Sequence, residues 1–298
     1  YRSSTKENGG VIARGVEAGA QFKHAGRYYL LTDQTCCFCN EGSGARVYVS
    51  DQPLSGYVLR GNINRRPGRS APTLANGQVR GEPAENLAGD AGRPPRSAEI
   101  WLGEPTAVPA LTVSFFTGGR PANCGDVNNP RVHPPYHAPR IKVEVDTADG
   151  WKEVGIRSSD RTRSALVEQV RLILEPSTGW RWRITPVIDE GVTSLLVTEI
   201  ALHGRLDASA EPLPIDGVFV LGEGIPATPI VPAQQTYVMK LEGAAGPLFV
   251  WMGDLWGSAS DNVKGHDYQY WGEPLTFFSD GSIKPLRWVD RWSAPLAP

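Results

Sequence analysis

Apolar residues fall in short runs, alternating or continuous, separated throughout by Gly, Pro, Asn and Asp. That spacing suits strands joined by turns rather than helices. Residues 1–64 read as a β-meander. Positions 15–22 lead into a first strand, and His24-Ala25-Gly26-Arg27 is a tight turn whose glycine takes a positive φ cheaply. Further strands are predicted at 28–32, 45–50 and 56–60, with a polar loop at 36–44. From 64 to 97 large apolar residues thin out. Arg65-Arg66-Pro67-Gly68-Arg69 and Arg93-Pro94-Pro95-Arg96 frame a stretch with linker or long-loop composition. Strand patterns return at 107–116, 140–145, 151–156, 167–174, 180–187 and 195–203, and Asp149-Gly150 marks a hairpin. The run 166–174 also fits a helix, but its Val-Arg-Leu-Ile-Leu segment favours a strand. Linkers rich in Pro and small residues are predicted at 208–217 and 222–232, before a last strand-rich stretch that starts at 235 and continues to 292. The expected organisation is a β module with a long loop (1–96), an inserted sandwich (97–206), and a linker with a terminal β module (207–298).

Composition strengthens the all-β reading: 33 Gly, 25 Pro, 9 Trp and 9 Tyr in 298 residues. Thirty basic against 32 acidic residues leave no charge excess to attract a polyanion, so nucleic acid is not an expected partner. No apolar run approaches the roughly 20 residues that span a bilayer, so no membrane is expected either. The chain opens Tyr1-Arg2-Ser3-Ser4 without a signal-peptide pattern, which fits an already processed or excised piece of a secreted or periplasmic protein. Its four cysteines are Cys36, Cys37, Cys39 and Cys124. One Cys-x-x-Cys without a second favours a bridge or buried thiols over a metal centre. His133-Pro134-Pro135-Tyr136-His137 sets two histidines four apart, but its prolines forbid the helix that would align them. Nucleotide-binding and Gly-x-Ser-x-Gly signatures are absent.

Chemistry concentrates in the last fifth. Gly253-Asp254-Leu255-Trp256 through Gly265-His266-Asp267-Tyr268-Gln269-Tyr270-Trp271 interleaves acids, amides, a histidine and aromatics. Rings that cover sugar C–H faces beside groups that bond hydroxyls make a carbohydrate surface. The same aromatics also suit an ordinary β core.

Two stretches carry a family resemblance. Val16-Glu17-Ala18-Gly19-Ala20-Gln21-Phe22-Lys23, followed by Gly26-Arg27-Tyr28-Tyr29-Leu30-Leu31, resembles glycoside hydrolase family 43. It is similar to the propeller blade in which a Glu-Ala-Pro-x-x-Phe-Lys motif bears the general acid, although Gly19 stands where the family has proline. Asn40 and Pro53-Leu54-Ser55-Gly56-Tyr57 resemble the next loop and turn. Gln234-Gln235-Thr236-Tyr237-Val238, Phe249-Val250-Trp251-Met252-Gly253-Asp254-Leu255-Trp256 and Tyr270-Trp271-Gly272-Glu273-Pro274-Leu275 resemble the last blade of the exo-β-1,3-galactanase-like branch, with Trp288 and Trp292 closing it. Leu255 replaces that branch's arginine. The middle is similar to a discoidin-like (galactose-binding-like) sandwich, on Asp149-Gly150-Trp151-Lys152-Glu153-Val154, Arg181-Trp182-Arg183-Ile184 and Thr198-Glu199-Ile200-Ala201-Leu202-His203-Gly204.

The resemblance implies partial β-propeller-like modules interrupted by a discoidin-like β-sandwich. It implies a polysaccharide or oligosaccharide partner, galactan or arabinose-containing, and no required cofactor; some relatives of the sandwich hold a structural calcium ion. Glu17 falls on the general acid. Asp254, Asp267 and Asp33 are candidates for a second carboxylate, and a turn role is the alternative for Asp254. His266 with Asp267 could orient hydroxyls, or lie in a solvated loop. Trp256, Tyr270 and Trp271 could stack on a sugar, or belong to a core. Asn40 and Gln235 complete the substrate-binding candidates. A complete family propeller has five blades and three carboxylates, whereas this chain shows about two blades and no early aspartate motif. The alternatives are therefore a non-catalytic binding protein, or half-propellers that close as a homodimer and hide their sheet edges.

Overall fold

The computed structural model describes residues 11–14, 16–34, 42–79, 84–89, 92–116, 139–147, 149–164, 167–189, 192, 194–207, 209–258, 263 and 266–297. Asn40, all four cysteines and the His133/His137 pair lie outside the described residues. The described chain is all-β, with one short 3₁₀ turn, and divides into two compact units: Tyr1–Arg66 with Thr228–Pro298, and Pro67–Ala227.

The first unit begins as a meander of β1 (Ala20–His24), β2 (Arg27–Thr32), β3 (Arg46–Ser50) and β4 (Val58–Asn62), paired antiparallel in chain order. The turn between β1 and β2 places Ala25 at φ 47° and Gly26 at φ 85°. Two successive left-handed residues suit a two-residue hairpin, because their twist matches that of the strands. A two-residue β5 (Arg65–Arg66) then leads out of the unit.

The second unit holds β6 (Arg69–Ser70), the 3₁₀ turn Pro72–Ala75, β7 (Glu85–Asn86), β8 (Ser97–Ala107), β9 (Ala110–Phe116), β10 (Arg140–Thr147) and β11 (Gly150–Glu153). It continues with β12 (Ile156–Arg163), β13 (Val167–Leu174), β14 (Thr178–Val187), β15 (Leu196–His203) and β16 (Ile215–Leu221). One antiparallel sheet runs β11-β10-β14-β8-β16-β6 and the other β12-β13-β9-β15-β7. Ile100, Val143, Trp182 and Ile184 of the first share one buried cluster with Leu111, Val113, Leu172 and Leu202 of the second. In β8, β9, β10, β13 and β14 alternate residues face that cluster, as strand geometry requires. The 167–174 run is a strand, and Thr147 pairs with Gly150 across the predicted hairpin. Among the described strands β12 lies at a sheet edge; it is exposed along its whole length and carries Arg157, Asp160, Arg161 and Arg163, charges of the kind that disfavour edge-to-edge pairing.

The stretch 64–97 is not a linker. Four of its described apolar side chains, Ala71, Leu74, Leu87 and Ala88, lie in the second unit's core, and Ala75 packs against it. Backbone N–H groups of Asn76 and Gly77 donate to the Glu199 carboxylate, tying the end of the 3₁₀ turn to β15. Low apolar content hid a segment whose two leucines are both fully buried. The compact unit therefore takes in residues on both sides of 97–206. The predicted linkers behave alike: β16 begins inside 208–217, and Val231, at the end of 222–232, is fully buried.

The chain re-enters the first unit at β17 (Thr228–Pro229), which pairs with β5: Thr228 faces Arg66 and Pro229 faces Arg65. The outgoing and returning chains thus run side by side, which lets a whole unit be inserted without opening its host. Asn64 fixes the crossing, donating to the Val231 carbonyl at 2.9 Å and accepting from the Val231 amide at 2.7 Å. A three-stranded meander follows: β18 (Gln234–Gly243), β19 (Gly246–Leu255) and β20 (Tyr268–Pro274). Its Val238, Phe249 and Trp251 pack with Tyr29, Leu31, Val47 and Val49 of the first meander in one cluster. Phe22 stacks on Tyr29 and on Phe249, with centroids 5.3 and 4.6 Å apart. Each fully buried side chain of this size contributes roughly 1.5–3 kcal/mol, so the two meanders hold each other firmly.

Burial lowers the pKa of His203, and the Arg171 charge lowers it further, against an opposing bond to the Ala210 carbonyl. Nδ1 lies 3.2 Å from that carbonyl and Nε2 3.0 Å from Thr112 Oγ1. A carbonyl only accepts, so Nδ1 carries the hydrogen and Nε2 accepts from the hydroxyl. The unfolded chain binds this proton more readily than the folded one. Stability contributed by neutral His203 is complete above the ordinary value of 6.5 and is lost as pH falls through the depressed folded value. Urea midpoints measured from about pH 7 down to about pH 5 should fall more steeply for the wild type than for His203→Gln.

Candidate functional site

The first unit brings the ends of its two meanders together through polar side chains. Asp33 follows β2 directly and is fully buried. Its Oδ1 accepts the Glu17 amide at 2.6 Å, while its own amide donates to the Glu17 carbonyl at 3.2 Å. Glu17 is therefore gripped at both backbone groups, and the residue is exposed. The next residue, Ala18, has φ 50°. A side-chain-bearing residue in the left-handed region costs about 1 kcal/mol or more and persists only where its surroundings hold it. Here the Asp33 clamp holds it.

The other carboxylate oxygen, Oδ2, accepts Nε2 of Gln234 at 3.1 Å. Gln234 Oε1 in turn accepts the Trp256 indole N–H at 2.7 Å. One chain of hydrogen bonds thus runs from the segment before β1 to the residue after β19, and every donor points toward the carboxylate. Backbone pairing places the glutamine: Gly44 bridges Gln234 in parallel, and Ser43 donates to the Ala233 carbonyl. Across the sheet Gln234 faces Asp254. Gly253 allows this close approach, since a Cβ there would lie 2.7 Å from the Gln234 carbonyl oxygen and 2.6 Å from the Trp251 ring.

The remaining candidates fall elsewhere. Gln235 is fully buried, its Oε1 accepting the Trp251 indole N–H and its Nε2 having no partner among the described residues. Adjacent strand residues face opposite sides, which is why Gln234 joins the chain and Gln235 does not. Gln234 was missed; the doubled Gln234-Gln235 preceding the Gly253-to-Trp256 strand was its only signal. Asp254 accepts from Gln269 Nε2 at 3.3 Å. Asp267 is half-buried and accepts the Gly257 amide at 2.7 Å, closing its own loop. His266 is exposed, and its amide donates to the Val263 carbonyl. Tyr270 lies in the core, stacked on Trp288 at 4.7 Å, with its hydroxyl accepting the Val289 amide at 2.8 Å. Burial pushes its phenol pKa up, so it stays protonated. Trp271 is half exposed on edge strand β20, and its carbonyl accepts the Trp292 indole N–H. Glu17, Asp33, Gln234 and Trp256 are the residues brought together. Among the described residues no group of three or more His, Cys, Asp or Glu side chains could hold a metal ion.

No family model and no curated protein matches the chain. Solved structures to which it is similar include an exo-β-1,3-galactanase from Clostridium thermocellum, at 16% identity and TM-score 0.18, over 93% of this chain and 61% of that one. They also include a family 43 β-1,3-galactosidase with galactodeoxynojirimycin, at 14% identity and TM-score 0.20, over 97% of this chain and 80% of that one. The chain thus spans about three-fifths of that galactanase. Superpositions this loose bear neither on its architecture nor on its chemistry.

Gly253→Ala should push the Gln234 backbone away from β19 and destabilise the first unit by about 1–3 kcal/mol. Denaturant unfolding checks the loss, and an unchanged midpoint would mean that the strands separate without cost.

Proposed function

We propose that the first unit is a propeller-like carbohydrate-active module and that the chain acts as a glycoside hydrolase on a galactan or an arabinose-containing polysaccharide. The observation that carries this reading is the exposed Glu17 on a clamped, strained backbone, joined through Asp33 and Gln234 to the Trp256 indole. An acidic side chain and an aromatic ring placed on one hydrogen-bonded frame are what cleavage of a sugar chain asks for. The family 43 resemblance of the residues around Glu17 and around Trp256 supports the same reading.

In the proposed reaction Glu17 donates its proton to the glycosidic oxygen as the bond to the anomeric carbon breaks. A water oxygen bonds that carbon from the opposite face, and its proton passes to a second carboxylate. Asp254 and Asp267 are the candidates for that carboxylate. The second unit, an antiparallel two-sheet sandwich, is read as discoidin-like and as a further glycan contact, and the protein as secreted or periplasmic.

One observation favours a binding role without cleavage. Asp254 and Asp267 each already accept a bond from a neighbour in their own meander, Gln269 and Gly257. On that reading the chain holds glycan and releases no sugar, unless a partner chain or a second copy supplies the base.

Glu17→Gln tests the proposal. Losing a general acid costs about 10²–10⁴-fold in turnover, so reducing-sugar release from β-1,3-galactan should fall by that factor while galactan affinity stays within about threefold. Unchanged release would remove Glu17 from the reaction.

A further inference from the structure

The geometry points to Asp33 as the positioning residue of this site: one buried carboxylate that sets both the Glu17 side chain and the plane of the Trp256 ring. This rests on the reading of Glu17 as the acid. Two independent features support it. Asp33 holds Glu17 through the bonds at both ends of its backbone, beside the left-handed Ala18. It also terminates the donor chain from Trp256 through Gln234.

Its described partners are neutral N–H donors, unlike those of buried Glu99, which accepts from Arg183 at 2.9 Å and from Trp101 at 2.9 Å. Glu99 neutralises a basic cluster. Asp33 organises donors instead, and only an acceptor at both oxygens can do so. An amide in its place accepts at one oxygen and turns an N–H₂ toward either Glu17 or Gln234. Flipping Gln234 relieves the second clash only by turning its own N–H₂ toward the Trp256 indole N–H. With Gln234 and Trp256 in place, no orientation of such an amide satisfies all the donors.

Asp33→Asn, nearly isosteric, is the variant to make in the full chain. Two probes separate acid catalysis from general damage: β-1,3-galactobiose, whose leaving group needs a proton, and 2,4-dinitrophenyl β-galactoside, whose leaving group does not. Misplacing a catalytic group by about 1 Å costs about 10²-fold. Turnover of galactobiose should fall by about that factor and turnover of the aryl galactoside by less than about threefold. The amide proton of Glu17 and the indole proton of Trp256, the latter identified by its loss in Trp256→Phe, should both shift in ¹H–¹⁵N spectra. Asp280→Asn makes the same change elsewhere in the unit, where one oxygen takes both bonds from Ser282 and an amide keeps that oxygen; it should leave both signals and the leaving-group profile unchanged.

An unmoved Glu17 amide overturns the assignment, as does an equal loss on both substrates. If the wild type cleaves neither probe, the hydrolase reading fails separately. Asp33 is then decided by the two proton signals and by galactobiose affinity, which should weaken at least about fivefold as the Trp256 plane is freed. Unchanged affinity would overturn the assignment in that case.

Discussion

A carboxylate taken out of water must find hydrogen-bond donors, because an unsatisfied buried charge is among the costliest features a fold can carry. Asp33 meets that demand by drawing donors from two places far apart in sequence, the segment before β1 and the start of β18. The first unit is held by its apolar cluster, but the arrangement of its polar end follows from this one side chain. Glu17 faces outward because Asp33 grips its backbone, and Trp256 is oriented because Gln234 is already committed to Asp33. A core of Tyr29, Leu31, Phe249 and Trp251 keeps the two meanders from sliding, so the carboxylate acts on a rigid frame.

That frame is built from chain segments with a whole unit between them. Insertion at this point is tolerated because β5 and β17 run antiparallel, and Asn64 locks the crossing to Val231. A loop closed by so large an insert carries an entropic cost that grows only slowly with its length. The second unit meets its own needs: alternate apolar residues in one shared core, a charged edge strand, and buried Glu99 matched to Arg183 and Trp101.

Much of the fold was legible in the sequence. The four strands of the first meander, the His24-to-Arg27 turn, the 167–174 strand and the Asp149-Gly150 hairpin all follow from local pattern, which is what period and turn chemistry encode. Burial in the proline-rich stretches was not legible. Leu74, Leu87 and Val231 sit among Gly and Pro with no periodic neighbours, and only tertiary packing shows that each is a core residue. The candidate site was half legible. Glu17 and Trp256 could be singled out as a candidate acid and a candidate ring, yet nothing local distinguishes Gln234 from Gln235. The role of Asp33 depends on a partner 201 positions away. Aromatics were the least informative, since Tyr270 in the core and Trp271 at the surface are neighbours in one strand.

The central claim is that Glu17 and Trp256 are two sides of one sugar site on a frame set by Asp33. Nuclear Overhauser contacts between bound β-1,3-galactobiose and the protein test it most directly. The account predicts contacts from the sugar C–H face to the Trp256 indole ring, together with contacts to the Glu17 side-chain protons. Contacts confined to Trp271 and Trp288, or to the second unit, would contradict it.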